Sequence, residues 1–233
     1  MERRLKAKDN NKSKSAIPLI AHFNPRGGIS EQYRLIRSNI LFSSVDNKIS
    51  TIMITSPEPS DGKSTTASNL SVVLAQQGNR VLLVDADLRK PSIHFAFQTS
   101  NILGLTSILT KESDLEGTLI KTFIPNLEIL TSGPIPPNPS ELLNSRAMEK
   151  LMHDLSTKFD YVVFDTPPVI SVTDAQIIGN KCDGVVLVVA SGKTHKDRAL
   201  QAKELLEKAK SRILGIVVNG VDSQSSEYYS QYG

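Results

Sequence analysis

The sequence is poor in aromatic residues and in cysteine. Its 233 residues include no tryptophan, seven phenylalanines and five tyrosines. The single cysteine, Cys182, excludes an internal disulfide and is typical of a protein from a reducing compartment. Because Cys182 stands alone beside a polar turn, we expect it to be a packing residue.

The sequence also lacks a long hydrophobic run. Its longest apolar stretch, residues 185–190, is far shorter than the roughly 20 residues that a membrane-spanning helix needs. The N-terminal residues lack the apolar core of a signal peptide. We therefore expect the protein to remain in the cytoplasm.

An excess of charge of one sign is found only near the N-terminus. The formal net charge of +3 is too small to predict nucleic-acid binding, and we expect no nucleic acid among the partners. Residues 1–17 carry six basic side chains, two acidic ones and almost nothing apolar, which predicts a disordered basic arm. Such an arm is either merely solvated or lies on anionic lipid, where each positive charge is worth about 1 kcal/mol.

The rest of the sequence alternates short β-branched runs with segments of helical spacing. The predicted strands are residues 51–55, 80–84, 127–130, 161–164, 185–189 and 213–218. The predicted helices include residues 63–77, 141–158 and 196–210. This alternation implies right-handed crossovers, so residues 18–221 are predicted to form one α/β domain, a doubly wound, mostly parallel sheet with helices on both faces. Ligands bind such sheets at the carboxyl ends of the strands.

A phosphate-binding pattern, SPEPSDGKST, follows the first predicted strand. Backbone N–H groups around Gly62 and the following helix terminus can bind phosphate oxygens, and Lys63 can reach the terminal phosphates. Ser64 or Thr65 can offer a hydroxyl to Mg²⁺. The first glycine of the full pattern is replaced by Pro57, so a chance match is the alternative. Because no G-x-G-x-x-G motif is present, we favour a nucleoside triphosphate over a dinucleotide.

Three aspartates follow predicted strands at the same edge of the sheet. Asp85 and Asp87 lie in VLLVDADLRKP, and Asp165 lies in VVFDTPP. A carboxylate at the end of a buried strand is costly unless a cation faces it, and Mg²⁺ carried by a nucleotide would provide one. Each aspartate alone could instead be a helix cap. Three of them near one phosphate site favour a metal–nucleotide site.

With SPEPSDGKST, VLLVDADLRKP and VVFDTPP in this order, the chain resembles the bacterial tyrosine kinases, the cytoplasmic kinase subunits that accompany capsular and exopolysaccharide export. The resemblance covers nearly all of the sequence from residue 29 onward and includes the proline loop SGPIPPNPSELL and the helix EQYRLIR. It implies a P-loop NTPase fold and a protein-tyrosine kinase that uses ATP and Mg²⁺.

The resemblance also implies roles for the site residues. Lys63 would neutralise the charge that develops during phosphoryl transfer. Mg²⁺ would be held by Ser64 and, directly or through water, by Asp85 and Asp165. Either Asp85 or Asp87 would accept the proton of the tyrosine hydroxyl.

The ATP-binding residues that the resemblance implies are Ser60, Asp61, Gly62, Lys63, Ser64, Thr65 and Asn219. Ser60 stands where relatives often carry a glycine, and Asp61 brings a negative charge near the phosphates unless it points to solvent. Asn219 either recognises adenine or supports the turn with Gly220. Partition and placement ATPases of the MinD and ParA type carry a lysine at the position of Glu58, which argues against that branch.

The segment SEQYRLIRSNI has helical spacing. Its charged residues Glu31, Arg34 and Arg37 are three apart and would share one flank of the helix. Its apolar residues, which could face the core, are Leu35, Ile36 and Ile40. Spacing alone favours a solvated charged flank. The resemblance instead implies that E-x-x-R-x-x-R makes subunit contacts in a ring-shaped homo-oligomer.

The sequence ends in SSEYYSQYG, which holds three of the five tyrosines, Tyr228, Tyr229 and Tyr232. Residues 222–233 contain no aliphatic side chain, so we predict a flexible tail. The resemblance implies that a neighbouring subunit phosphorylates these tyrosines in trans; chance tyrosines in a disordered end are the alternative. Three phosphates would add about −5 charge, and we expect their repulsion to loosen the ring.

The resemblance implies further partners. A membrane-anchored activator would recruit the protein to the inner face of the plasma membrane. The other implied partners are cytosolic protein substrates and a cognate tyrosine phosphatase. The predicted function is phosphorylation of the tail and of other proteins, which would regulate capsular or exopolysaccharide production. The alternative is a nucleotide-controlled switch of ring assembly, similar to MinD or ParA ATPases, without physiological kinase activity. The clustered tyrosines favour the kinase, because a pure switch has no use for them.

Overall fold

The computed structural model describes residues 17–43 and 48–221. Residues 1–16 of the predicted basic arm lie outside the described residues, as does the whole predicted tail with Tyr228, Tyr229 and Tyr232.

Seven strands form the central sheet. They are β1 (Thr51–Thr55), β2 (Val81–Asp85), β3 (Ile120–Lys121), β4 (Leu127–Leu130), β5 (Tyr161–Asp165), β6 (Gly184–Ala190) and β7 (Ile213–Asn219). Their order is β3-β4-β2-β5-β1-β6-β7, and all neighbours are parallel except β3 and β4. Because β2, β5 and β1 lie side by side, their carboxyl ends meet at one edge of the sheet.

Helices connect the strands. They are α1 (Ile20–Phe23), α2 (Gly28–Phe42), α3 (Lys63–Ala75), α4 (Ile93–Ala96), α5 (Leu105–Leu109), α6 (Leu115–Thr118), α7 (Pro139–Leu143), α8 (Arg146–Lys158), α9 (Asp174–Lys181) and α10 (Lys196–Lys208). The predicted helix at residues 141–158 is thus two helices. The Ser145 hydroxyl accepts a hydrogen bond from Met148 N–H at 3.2 Å and caps the N-terminus of α8, which separates it from α7.

The central strands are buried on both faces. Successive side chains of a strand point to opposite faces. In β1, Ile52 and Ile54 join one hydrophobic core together with Leu70 of α3, whereas Met53 joins a second core together with Met152 of α8. Helices therefore cover both faces of a mostly parallel sheet, and the predicted doubly wound α/β fold is confirmed.

The face of helix α2 that packs against the core differs from the predicted one. Ile40 is buried and Ile36 is half-buried, but Leu35 is 49% exposed, so the prediction that Leu35 faces the core is wrong. Tyr33 is buried in its place. At 100° per residue, Tyr33, Ile36 and Ile40 share one face of the helix, and Leu35 lies about 200° from Tyr33.

Cys182 is buried, as expected of a packing residue, and burial raises the pKa of its thiol. Within the described ranges, no helix is both long enough and apolar enough to cross a membrane.

Candidate active site

The phosphate loop, residues 56–62, connects β1 to α3. Ser60 has a φ of 65° and Gly62 a φ of 99°, a region of backbone conformation that favours glycine. A Cβ atom on Gly62 would lie 2.0 Å from Asn219 Nδ2, so a side chain there would collide. Helix α3 begins at Lys63, and its free N–H groups and positive dipole end are suited to bind phosphate.

The Lys63 ammonium lies among the predicted carboxylates. Its Nζ is 3.1 Å from Asp87 Oδ2 and 3.5 Å from Asp165 Oδ1, and it donates to Ser64 Oγ at 3.1 Å. Burial by itself lowers the pKa of Lys63, but the charges of Asp165, Asp87 and Asp85 outweigh burial and raise it. The structure thus brings together the residues that we assigned to catalysis and metal binding, whose roles stay predictions.

Asp85 ends β2 and is fully buried. Its Oδ2 accepts hydrogen bonds from Ser92 N–H at 2.9 Å and from Ile93 N–H at 3.0 Å, at the start of α4. Burial, together with the charge of Asp165, raises the pKa of Asp85 to about 7. A cation beside this carboxylate would favour its ionised form.

Asp165 ends β5 and is also fully buried. Its Oδ2 has no hydrogen-bond partner among the described residues, although buried polar atoms are normally paired. Burial raises the pKa of Asp165, although the charge of Lys63 and the nearby Ser64 hydroxyl oppose this shift. A hydroxyl and an unpaired carboxylate oxygen are ligands that suit Mg²⁺. Among the described residues, no three His, Cys, Asp or Glu side chains are grouped so that they could hold a metal ion.

Asp61 does not point to solvent, which excludes that alternative. Its side chain is fully buried, and its Oδ2 accepts a hydrogen bond from Glu58 N–H at 3.0 Å. Lys193, in the loop between β6 and α10, places its Nζ 3.4 Å from Asp61 Oδ1 and donates to the Pro59 carbonyl at 2.8 Å. The lysine therefore balances the negative charge that Asp61 brings to the phosphate loop.

A second ion pair joins the same two segments. Arg198 Nε is 2.9 Å from Glu58 Oε1. Sequence reasoning missed both Lys193 and Arg198, because their partners lie 132 and 140 residues away along the chain. No local pattern of the sequence marks them.

Asn219 ends β7 beside the phosphate loop. Its Nδ2 donates to the Asp61 carbonyl at 3.1 Å. The amide thus supports the phosphate loop, a role different from the predicted support of the Gly220 turn. Recognition of adenine by Asn219 stays a prediction.

A further network, also missed, ties the proline loop to the residues after β2. Arg89 Nε donates to Asp174 Oδ2 at 2.8 Å, and Arg89 Nη2 donates to Ser140 Oγ at 3.0 Å. The Ser140 hydroxyl donates to Asp174 Oδ1 at 2.6 Å. The proline loop is therefore fixed against the segment that carries Asp87.

The charged residues on the flank of α2 make contacts within the chain. Arg34 Nε is 2.7 Å from Glu31 Oε2, and Arg37 Nη1 donates to the Val73 carbonyl of α3 at 3.1 Å. The predicted role of these residues in subunit contacts stays a prediction.

The chain is similar in sequence to known proteins. Residues 49–213 match the family described as AAA domain. Over 224 residues the chain is 51% identical to the tyrosine-protein kinase YwqD of Bacillus subtilis (strain 168), which covers 96% of this chain and 94% of that protein. The chain belongs to the bacterial tyrosine-protein kinase family. The predicted enzyme class, protein-tyrosine kinase, is thereby confirmed.

Solved structures are also similar to this kinase. The chimerical protein CapA2B2 has a TM-score of 0.83 and 46% sequence identity, and the match covers 86% of this chain and 88% of that one. The cell-division ATPase MinD of Pyrococcus furiosus has a TM-score of 0.64 and 24% identity, with coverages of 79% and 80%. At that identity the likeness to MinD shows a shared fold alone. The match of residues 49–213 to the AAA domain family confirms the predicted P-loop NTPase type.

Proposed function

We propose that this kinase transfers the γ-phosphoryl group of ATP to tyrosine hydroxyls of its own C-terminal tail and of other proteins. The observation that carries the proposal is the position of Lys63, whose ammonium lies within 3.5 Å of both Asp87 and Asp165 at the carboxyl ends of two strands. Phosphoryl transfer depends on positioning and charge neutralisation, and a buried cation between carboxylates beside a phosphate loop supports both.

The residues of the site would have separate roles in binding the phosphates and Mg²⁺. The N–H groups at the start of α3 would hold the phosphates, and Lys63 would move from Asp87 to the terminal phosphate oxygens. Ser64, Asp85 and Asp165 would hold Mg²⁺, which when bound supplies positive charge to the phosphate oxygens. Departure of Lys63 would free Asp87 Oδ2, while Asp87 Oδ1 keeps the hydrogen bond from Lys90 N–H.

Asp87 would then be the general base. Its side chain is 5% exposed, whereas Asp85 is fully buried and its Oδ2 already accepts two backbone N–H groups. Asp87 would accept the tyrosine proton while the bond between the tyrosine oxygen and the γ-phosphorus forms. The bond between that phosphorus and the oxygen of the departing ADP breaks in the same step.

The substrates, partners and cellular role that we propose are those that the family resemblance implies. We propose Tyr228, Tyr229 and Tyr232 of a neighbouring subunit in a ring-shaped homo-oligomer as acceptors, with cytosolic proteins as further substrates and a tyrosine phosphatase to reverse the reaction. A solved relative is the chimerical protein CapA2B2, which supports a second chain that works with the kinase. This partner would be membrane-anchored, would activate the site and would bring the kinase to the inner face of the plasma membrane. The output would be control of capsular or exopolysaccharide production.

Mass spectrometry of the C-terminal peptide tests the proposal. The purified chain is incubated with Mg²⁺ and ATP, with and without a soluble activator segment, beside a Lys63→Met variant. We expect phosphate on the tail tyrosines, reduced about 100-fold or more in the variant, because a charge that stabilises the transition state is lost. Tyrosines that stay bare in both conditions while ATP binds would favour the alternative, a nucleotide-controlled assembly switch.

A further inference from the structure

A groove of about 680 Å³ opens beside the proposed site of transfer. Part of its lining is residues 89–92, which begin two positions after Asp87, and another part is residues 134–135 of the proline loop. Ser92 joins the groove to the phosphate site, because its hydroxyl donates to Ser64 Oγ at 3.2 Å. The groove therefore leads to the place where the γ-phosphoryl group would leave ATP.

The lining combines apolar surface with basic side chains. Phe95 and Ile135 are 40% and 63% exposed and present apolar surface. Arg89 and Lys90 are also exposed, and none of the described lining residues is acidic. Asp174 already balances the charge of Arg89, which leaves Lys90 to attract an acidic ligand.

Hydrogen bonds within the protein hold both parts of the lining in place. Arg89 donates to Asp174 and to Ser140, as described above. Asn101 Nδ2 donates to the Gly133 carbonyl at 3.1 Å, and Gly133 N–H donates to Asn101 Oδ1 at 2.9 Å. The groove is thus formed in advance, which lowers the entropic cost of binding an extended ligand.

We propose that this groove holds the acceptor polypeptide and that Lys90 selects an acidic residue immediately before the acceptor tyrosine. The inference rests on the proposed kinase function and adds a substrate rule to it. Lys90 N–H donates to Asp87 Oδ1 at 3.0 Å, so the lysine adjoins the proposed base. Neighbouring Cα atoms of an extended peptide are about 3.8 Å apart, so a residue beside the acceptor tyrosine can reach Lys90 when the tyrosine reaches Asp87.

The occupant that fits this chemistry is the segment 222–233 of a second copy. In that segment Glu227 directly precedes Tyr228, whereas Tyr229 follows Tyr228 and Tyr232 follows a glutamine. Tyr228 should therefore be phosphorylated first. Its phosphate, with about −1.5 to −2 charge, then stands directly before Tyr229 and makes that tyrosine the second acceptor. Tyr232 should be the last.

The test uses the full chain and a synthetic peptide of residues 222–233, followed over time by mass spectrometry. Lys90→Met in the chain, or Glu227→Gln in the peptide, should lower kcat/KM for Tyr228 about two- to fivefold, the range of one exposed charge pair. The two changes together should lower it no further. The KM for ATP should stay constant, and Lys150→Met, an exposed lysine of α8, is the matched control.

A charge reversal and a binding assay complete the test. The chain with Lys90→Glu should prefer the peptide with Glu227→Lys. Fluorescence anisotropy with a labelled peptide whose tyrosines are replaced by phenylalanine measures binding without transfer, and Lys90→Met and Ile135→Ser should each weaken it.

The outcomes separate this inference from the proposed function. If the peptide is phosphorylated but its rate and the order of its tyrosines ignore Lys90 and Glu227, the groove inference alone is overturned. If the unaltered chain phosphorylates no tyrosine, the kinase proposal fails, and the anisotropy assay still decides whether the groove binds the segment.

Discussion

At the scale of single residues, the phosphate loop contains a negative charge that needs a partner. Asp61 is fully buried, and Lys193 Nζ lies 3.4 Å from its Oδ1. An unbalanced carboxylate at this place would repel the phosphates of ATP. The lysine is thus a positioning residue that allows this loop to carry Asp61.

Replacement of Lys193 by methionine tests this role. We expect the KM for ATP to rise about five- to tenfold with little change in kcat, because a buried charge loses a partner that is itself half exposed. Adding Asp61→Asn should return the KM close to that of the unaltered chain, since the amide carries no charge. Steady-state kinetics with varied ATP measures both effects, and Lys196→Met, an exposed lysine nearby, is the matched control. A double variant as impaired as the single one would show that Lys193 acts in another way.

At the scale of elements, the strands buried on both faces were the most predictable. β1 and β4 coincide with the predicted residues 51–55 and 127–130. The other long strands differ from the prediction by one residue, β5 and β7 at one end and β2 and β6 at both. Such strands are continuous apolar runs bounded by polar residues. β3 is two residues long and exists only through antiparallel pairing with β4. A pairing between distant segments leaves no local pattern in the sequence.

The same distinction separates the predicted from the missed residues of the site. Lys63 and the three aspartates were predictable, because each lies where a strand ends or a helix begins in a recognisable motif. Lys193, Arg198 and Asp174 were not, because each acts on a partner 85 to 140 residues away. Their positions depend on the tertiary fold.

The start of β1 depends on Asp183, a residue just before β6. Its Oδ2 accepts four hydrogen bonds, from the N–H groups and hydroxyls of Ser50 and Thr51, at 2.8 to 2.9 Å. Burial by itself raises the pKa of Asp183, but these hydrogen bonds outweigh burial and lower it. The ionised carboxylate therefore stabilises the junction of β1 and β6.

Asp183→Asn should lower the free energy of unfolding by about 1–2 kcal/mol at neutral pH, because hydrogen bonds to a charged acceptor are weakened. The folded pKa is depressed, so this stabilisation is present above the unfolded pKa of about 3.9 and is lost as the pH falls through the folded pKa. Urea unfolding of both proteins at neutral and acidic pH measures it, with Asp154→Asn on α8 as the control. The difference between the proteins should shrink in acid; a constant difference would rule out the charge as its origin.

At the scale of the whole molecule, the length of the tail decides which active sites it can reach. β7 is four positions from β2 in the sheet, a distance of about 19 Å at about 4.8 Å per strand. Twelve residues, 222–233, can span about 40 Å when extended. Length alone therefore permits transfer within one chain as well as between chains, and only a measurement on two distinguishable chains separates them.

A mixing experiment with two variants of the whole chain tests whether one subunit phosphorylates the tail of another. One variant carries Lys63→Met and an intact tail; the other keeps Lys63 and has phenylalanine in place of Tyr228, Tyr229 and Tyr232. Each alone should remain unphosphorylated on the tail. When they are combined with Mg²⁺ and ATP, we expect phosphate on Tyr228 of the Lys63→Met chain. A bare tail in the mixture, while the unaltered protein phosphorylates its own, would contradict transfer between subunits, and bare tyrosines in the unaltered protein as well would contradict the kinase account.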